Sequence, residues 1–183
     1  MIEPNPMGTN AMSKLQGKVA LITGASRGIG LAIAHALAAN GASIAITART
    51  AATLEEARSD LVRGGADTLS HAADVSEEGE VERLFAAVRE KFGRLDVLVN
   101  NAGVFDGGPL DKLSLQAWDR VIATNLRAPF LCTRAAIRIM KPQGGGRIIN
   151  IGSISAQRVR PNSAAYSTSK HGLWGLTQVT ALE

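Results

Sequence analysis

From Lys18 onward, short apolar runs alternate with longer segments that have helical periodicity. Repeated strand and helix units of this kind place their strands side by side in one parallel sheet. Several runs are apolar at successive positions, which is typical of strands covered by helices on both faces. We therefore predict an α/β fold with a doubly wound parallel sheet. Its strands are expected at Val19–Thr23, Ser43–Thr47, Thr68–Ala72, Leu95–Asn100 and Arg147–Ile151.

Helices are expected between these strands. Gly41 is a good stop signal for the first helix, and Thr53 and Glu56 are spaced as in a capping box. The fourth segment is too long for one average helix, and Pro129 is expected to kink it. The predicted helices are Ile29–Asn40, Thr53–Arg63, Ser76–Phe92, Ser114–Met140, and a last helix that begins near Ser163 and is still running at Glu183.

The length of 183 residues and the content of 45% hydrophobic residues predict one ordinary globular domain. Residues 1–17 are polar and contain Pro4 and Pro6, so we expect a disordered tail without a signal peptide. The domain itself is expected at 18–183. The sequence contains no run of about 18 apolar residues, so we predict no membrane span. Cys132 is the only cysteine, which excludes an intramolecular disulfide and fits a reducing compartment. We therefore expect a cytoplasmic protein.

The net charge is +4, but the basic residues are scattered among acidic ones. Proteins that bind nucleic acid usually gather such residues into a patch, so we do not predict nucleic-acid binding. The three histidines show no metal-ligand spacing, so we predict no metal site.

A glycine-rich loop follows the first predicted strand and opens the first predicted helix. Its residues are Thr23, Gly24, Ala25, Ser26, Arg27, Gly28, Ile29 and Gly30. In such a position, glycines permit a tight turn and let the backbone approach a pyrophosphate at the helix N-terminus. A glycine cluster alone can simply make a turn, but the strand and helix around it favour a dinucleotide site.

The second predicted strand ends where an NAD-binding protein would carry an acidic residue for the ribose. No carboxylate occurs here before Glu55, whereas Arg49 offers a planar donor fork suited to a 2′-phosphate. Arg27 adds a second cation near the same place. The alternative is that both arginines are ordinary surface charges. We predict NADP(H) as the cofactor in preference to NAD(H).

Tyr166 and Lys170 are four residues apart in the last predicted helix, so they share one helical face. A cation beside a phenol favours its ionised form, and such a tyrosine can act as a general acid or base. The alternative is an ordinary solvated pair on a helix surface. Ser153 lies thirteen residues upstream of Tyr166.

The motifs together resemble the short-chain dehydrogenase/reductase family, of the kind that includes 3-oxoacyl-carrier-protein reductases and hydroxysteroid dehydrogenases. The likeness extends from Gly17 to Glu183, and its motifs occur in the family's order. This resemblance implies a Rossmann-type fold. The motifs are the glycine loop at Gly24, Gly28 and Gly30, then Asp74 and Val75, Asn100 to Gly103, Asn125, Ser153, and Tyr166 with Lys170.

The resemblance also implies roles for these residues. Asp74 and Val75 would line the adenine pocket, and Asn101, Ala102 and Gly103 would lie below the adenosine half. Tyr166 would exchange a proton with the substrate oxygen, and Ser153 would hydrogen-bond that oxygen.

In the same comparison, Lys170 would assist Tyr166 and hold the nicotinamide ribose. Asn125 would anchor a water that relays protons toward Lys170. The implied reaction transfers a hydride between NADP(H) and a small carbonyl or secondary alcohol.

Family members are usually longer, so the resemblance implies a C-terminally truncated chain that lacks the last strands of the fold. The alternative function is a catalytically silent fold that binds dinucleotide or a partner. Homodimers or homotetramers are expected by analogy. Neither the substrate nor the direction of the reaction follows from the sequence.

Overall fold

A computed structural model describes residues 13–183 of the chain. Five parallel strands form one sheet with the order β3-β2-β1-β4-β5. Leu21 in the central strand β1 pairs with Ala45 on one side and Leu98 on the other. The strands are β1 Val19–Thr23, β2 Ser43–Ala48, β3 Thr68–Ala72, β4 Val97–Asn100 and β5 Arg147–Asn150. This confirms the predicted doubly wound parallel sheet.

Within residues 13–183, six α-helices flank the sheet. Alternate residues of β1 point to opposite faces, so that Leu21 and Ile22 belong to two separate hydrophobic clusters. Helices α1 and α2 cover the face of Ile22, and α3 and α5 cover the face of Leu21. The helices are α1 Gly28–Ala39, α2 Ala51–Arg63, α3 Glu78–Phe92, α4 Leu115–Ile122, α5 Ala128–Met140 and α6 Ala164–Thr180.

The strand order reverses between β1 and β4. From β1 the chain adds β2 and then β3 on one side, whereas β4 and β5 lie on the other. Helices that leave neighbouring strands in opposite directions open a crevice at the carboxyl ends of those strands. The fold therefore places a crevice beside the ends of β1 and β4, where the glycine loop and Asn101 lie.

The segment predicted as one long helix is interrupted by a π-helical stretch, Ala123–Arg127. In a regular α-helix the N–H of residue 129 would bond to the Asn125 carbonyl, but Pro129 has no N–H. The backbone bonds with a longer spacing instead, and Ala128 N–H donates to the Ala123 carbonyl. The helix irregularity expected from Pro129 is thus this π-helical stretch, which lies just before Pro129 in the chain.

Three predicted helix boundaries differ from the structure by two or more residues. Helix α2 begins at Ala51, and the Thr53 hydroxyl donates to the Thr50 carbonyl within the first turn instead of forming a capping box. Helix α3 begins at Glu78 because the Ser76 hydroxyl donates to the Asp74 carboxylate in a preceding turn. Helix α6 ends at Thr180, and the last residues form a turn in which Leu182 N–H bonds to the Val179 carbonyl.

The tail predicted over residues 1–17 lies outside the described residues as far as Met12. Its last five residues are described, and they contact the rest of the chain. Leu15 N–H donates to the Asn40 carbonyl at 2.9 Å, and the Leu15 side chain packs against the cluster on the α1 and α2 side. An apolar contact and a backbone bond hold this segment at the end of α1.

Strand β5 pairs with β4 and, within residues 13–183, forms one edge of the sheet. Ile149 in this strand is 46% exposed. In the same part of the chain, none of the helices combines the length and the apolar character that crossing a membrane would require.

Candidate active site

A cavity of about 460 Å³ lies at the carboxyl ends of the strands. It extends from the glycine loop past the end of β2 to the loop that follows β4. Ten of the residues predicted to bind a cofactor form part of its wall. They are Gly24, Ser26, Arg27, Ile29, Arg49, Asp74, Val75, Asn101, Ala102 and Gly103.

The glycine loop is held against the loop after β4 at van der Waals distance. Gly24 has a positive φ of +65°, and a Cβ at this position would lie 2.8 Å from the Ala102 Cα. A Cβ at Gly30 would lie 2.5 Å from the Asn101 amide nitrogen. Gly30 is buried below the turn, while Gly28 supplies a second positive φ at the first residue of α1. Larger side chains would force the two loops apart.

Asn101 joins these two loops by hydrogen bonds. Its Nδ2 donates to the carbonyl oxygens of Thr23 and Gly24, at 2.9 and 3.1 Å. The Thr23 hydroxyl in turn accepts from the backbone N–H groups of Asn101 and Ala102, both at 3.0 Å. Asn101 therefore braces the glycine turn. The sequence identified Thr23 only as the end of a strand, because its partner lies 78 residues away.

Two cations and one orphaned hydroxyl face this cavity. Arg27 and Arg49 are both exposed, and neither forms a salt bridge within residues 13–183. The Thr47 side chain is buried at the cavity wall, and its Oγ1 has no hydrogen-bond partner in the described part of the chain. Buried hydroxyls are normally paired, so this group is suited to a bound molecule. The donors present fit an anionic nucleotide.

Asp74 lies at the far side of the cavity and keeps its negative charge. Burial acts to raise the pKa of its carboxyl group, but hydrogen bonds from Ser76 and the nearby cations Arg49 and Arg127 outweigh that effect. The pKa is therefore held below its ordinary value. Because Asp74 accepts from Ser76 N–H and Oγ, its carboxylate is also fixed in orientation.

Lys170 and Tyr166 lie together on α6, as their spacing predicted. The Lys170 Nζ is 5.7 Å from the centre of the Tyr166 ring and donates to the Ile151 carbonyl at 2.7 Å. Lys170 is only 7% exposed, and burial lowers the pKa of its ammonium group. A buried lysine that bonds to a strand end does not fit the alternative of a solvated surface pair.

Phe105 and Ser153 lie in the segments that follow β4 and β5. The Ser153 Oγ accepts from Ser155 N–H at 3.1 Å, which leaves its own hydrogen free to donate. No hydrogen bond joins Ser153 to the Tyr166 phenol among the described residues. The Phe105 ring packs edge-on against the Tyr166 ring, with the centroids 5.4 Å apart. Phe105 was not predicted as a site residue, because no sequence motif contains it.

Asn125 lies in the π-helical stretch and is 1% exposed. Its side chain forms a reciprocal pair with the Val104 backbone, in which Val104 N–H donates to Oδ1 and Nδ2 donates to the carbonyl, both at 2.8 Å. Nδ2 also donates to the Ser169 Oγ at 3.3 Å. Both hydrogens of the Asn125 side-chain amide are thus bonded. The main-chain carbonyl of Asn125 has no α-helical donor, because Pro129 lacks an N–H.

A family model described as short chain dehydrogenase matches residues 18–183. A 3-oxoacyl-[acyl-carrier-protein] reductase of Synechocystis sp. is 40% identical over 173 residues, which are 94% of this chain and 70% of the relative. A D-beta-hydroxybutyrate dehydrogenase of Rhizobium meliloti is 42% identical over 91% of this chain and 65% of the relative.

Solved structures show the same likeness. A metagenomic short-chain oxidoreductase in complex with NADP superimposes with a TM-score of 0.87 at 43% identity, covering 91% of this chain and 76% of that one. The chain spans about two thirds of the length of the two curated relatives. The fold, the glycine loop and these similarities agree. The chain belongs to the short chain dehydrogenase family.

Proposed function

We propose that the protein is an oxidoreductase that uses NADP(H) to interconvert a small carbonyl compound and a secondary alcohol. The observation that carries this proposal is the buried Lys170 ammonium, which lies beside Tyr166 on α6 and bonds to the carboxyl end of β5. The domain would extend over residues 18–183, together with the ordered segment from Ser13.

The cofactor half of the site would be held by the glycine loop and the two free cations. Backbone N–H groups of Ser26 to Gly30 would face the pyrophosphate at the start of α1. Arg27 and Arg49 would bind the 2′-phosphate of NADP(H), because neither guanidinium group has a partner among residues 13–183. Asp74 and Val75 would border the adenine, and Asn101, Ala102 and Gly103 would support the adenosine half.

The catalytic half would act on the substrate oxygen. When bound, the dinucleotide supplies the hydride. Tyr166 would donate its phenolic proton to the carbonyl oxygen, and Ser153 would donate a hydrogen bond to the same oxygen through its free hydrogen. Lys170 would favour the phenolate that remains and would hold the nicotinamide ribose. Asn125 would anchor the proton-relaying water through its main-chain carbonyl, since its amide hydrogens are engaged elsewhere.

The relatives support this proposal at the level of reaction type. The two curated relatives are named as a reductase and a dehydrogenase, and a solved relative is described as a complex with NADP. Their names cover different substrates, so the similarity by itself favours no substrate for this chain.

The test is to titrate NADPH and NADH into the purified chain and then to follow NADPH consumption with a panel of ketones, hydroxy acids and sugar alcohols. We expect tighter binding of NADPH and turnover of at least one carbonyl substrate. Failure to bind either dinucleotide would overturn the proposal. Binding without turnover would favour the alternative of a silent dinucleotide-binding fold.

A cytoplasmic location and a homodimer or homotetramer belong to the same proposal. Self-association rests on analogy with the family, and Leu115 on α4, Phe130 on α5 and Trp174 on α6 are exposed apolar side chains available to such a contact. Light scattering on the purified protein would give its mass, and a monomer at all concentrations would contradict this part.

A further inference from the structure

Ser169 has a buried hydroxyl group and lies on α6 between Tyr166 and Lys170, the two residues of this helix that we propose act in the reaction. It is 0% exposed and lies one residue before Lys170 and three after Tyr166. Its Oγ donates to the Tyr166 carbonyl at 2.7 Å and accepts from the Asn125 amide at 3.3 Å. No motif identified in the sequence assigns a role to this residue.

The helix itself gives no reason for a serine here. Serine is a poorer helix former than alanine, and a side chain that bonds back to its own helix slightly destabilises and bends it. Alanine would also fill most of the same buried space. The hydroxyl is explained by its second bond, which runs outside the helix to Asn125.

That bond completes a chain of hydrogen bonds from the β4 loop to α6. Val104 is paired with the Asn125 amide through two bonds of 2.8 Å, and the remaining amide hydrogen reaches Ser169. Ser169 then uses its single hydrogen on the Tyr166 carbonyl. Ser169 thus accepts from Asn125 and donates to Tyr166, and this pair of bonds fixes how α6 is rotated against the π-helical stretch.

Steric contact one turn further along α6 supports the same seating. A Cβ at Gly172 would lie 2.8 Å from the Leu126 Cδ2, so a larger residue at 172 would require the Leu126 side chain to shift. Ser169 and Gly172 are three apart and share a helical face. Leu126 and Asn125 are neighbours in the same π-helical stretch. Helix α6 therefore contacts the π-helical stretch through a hydrogen bond at Ser169 and through close packing at Gly172.

We propose that Ser169 is a positioning residue, which sets the rotation of α6 and thereby the placement of Lys170 and Tyr166 relative to the end of β5. The role rests on the proposed function in so far as those two residues act on a substrate. Its physical content, the seating of α6, does not depend on any reaction. Loss of the hydroxyl would leave Asn125 with an unpaired buried hydrogen and would free α6 to turn.

The test compares Ser169→Ala with Ser167→Ala. Ser167 is a matched control because it is also a buried serine on α6, but its hydroxyl pairs with Ser163 at 2.9 Å and not with the π-helical stretch. Ser169→Cys is a second variant that fills the space of the serine with a weak hydrogen-bonding group. Thermal unfolding establishes which variants are folded.

The first readout is the pH dependence of amine labelling at Lys170, resolved by mass spectrometry. Burial lowers the pKa of this group, so a poorly seated helix should let the pKa rise toward its ordinary value. We expect that rise in Ser169→Ala, a smaller rise in Ser169→Cys, and none in Ser167→Ala. Identical Lys170 titration in Ser169→Ala and the wild type would overturn the proposal.

The second readout is the division of the effect between kcat and KM. We expect Ser169→Ala to lower kcat roughly ten- to a hundredfold, because displaced catalytic groups lose their alignment. The KM for NADPH should rise far less than kcat falls, because the glycine loop and the two arginines are untouched and only the Lys170 contact to the nicotinamide ribose would change. An equal loss in Ser167→Ala would also overturn the proposal. If the wild type turns over no substrate, the proposed function fails, and the labelling of Lys170 still decides the role of Ser169.

Discussion

The two ends of the parallel sheet differ in how completely their polar side chains are paired. At the amino end, Asp96 accepts four hydrogen bonds, from Val19 N–H at 3.0 Å, Lys18 at 3.1 Å and two guanidinium nitrogens of Arg94 at 2.8 and 2.6 Å. At the carboxyl end, Arg27 and Arg49 have no salt-bridge partner among the described residues, and the Thr47 hydroxyl is unpaired.

The difference shows which end stabilises the fold and which end is available for a ligand. Burial acts to raise the pKa of Asp96, but Arg94, Val19 N–H and Lys18 outweigh it and lower the pKa to about 2. Gln143 completes the amino end by bonding to the backbone of Leu95 in both directions. The carboxyl end retains unsatisfied donors beside a cavity. Changes at the amino end should therefore reduce stability, and changes at the carboxyl end should reduce function.

Replacing Tyr166 by phenylalanine is expected to give the largest functional loss. General acid–base groups contribute roughly 10²- to 10⁴-fold, so kcat should fall by that factor. The phenol has no hydrogen-bond partner within residues 13–183, so unfolding temperature and NADPH affinity should hardly change. Steady-state kinetics and calorimetry test this. Retention of most activity would remove Tyr166 from the mechanism and weaken the contrast between the two ends.

Replacing Asp96 by alanine should give the largest loss of stability. The change leaves Val19 N–H without its partner and separates Lys18 and Arg94 from their counter-ion, at a cost of roughly 3 kcal/mol. Urea unfolding measures this cost, and Lys18→Ala, which removes a half-exposed partner, serves as the milder control. Since the cavity is at the other end of the sheet, dinucleotide affinity should be unaffected. A loss of affinity without a loss of stability would break the comparison.

Arg49→Ala should lower NADPH affinity and leave NADH affinity and stability nearly unchanged. A charge-assisted bond to the 2′-phosphate contributes about 1.5–3 kcal/mol, or roughly ten- to a hundredfold in affinity. Arg63→Ala is the matched control, because Arg63 lies at the other end of α2 and pairs with Asp60. Fluorescence titration with both cofactors decides the point. Equal wild-type affinity for the two cofactors would refute the assignment of NADP(H).

Lowering the pH should remove the stabilisation that the Asp96 carboxylate gives to the amino end of the sheet. The folded pKa of Asp96 is depressed from its ordinary 3.8 to about 2, so its stabilisation is fully present above 3.8 and is lost as pH falls toward 2. The expected loss is about 2 kcal/mol. Unfolding measured across this range should show a steeper decline in the wild type than in Asp96→Ala. Parallel curves for the two proteins would show that Asp96 titrates alike in the folded and unfolded chain.

Local sequence patterns were sufficient to predict the five strands and the glycine loop. The apolar runs around Leu21 and Leu98 determine which segments are buried on both faces, and burial of this kind depends on composition over a few residues. The glycines of the loop after β1 permit a tight turn, and the predicted strand and helix on either side already indicate that a turn lies there. The site roles of Ser153, Tyr166 and Lys170 came from the order of motifs and stay predictions.

The tertiary structure alone decided how distant side chains meet. Asp96 lies 77 residues from Val19, Asn101 lies 78 from Thr23, and Asn125 lies 44 from Ser169. Hydrogen bonds of this kind depend on direction and on distances of a few tenths of an ångström, which residue spacing does not encode. The sequence by itself determined a doubly wound sheet with a glycine loop after its first strand, because both follow from local sequence patterns. Which polar groups are satisfied and which stay free for a ligand was decided only when the strands and α6 came together.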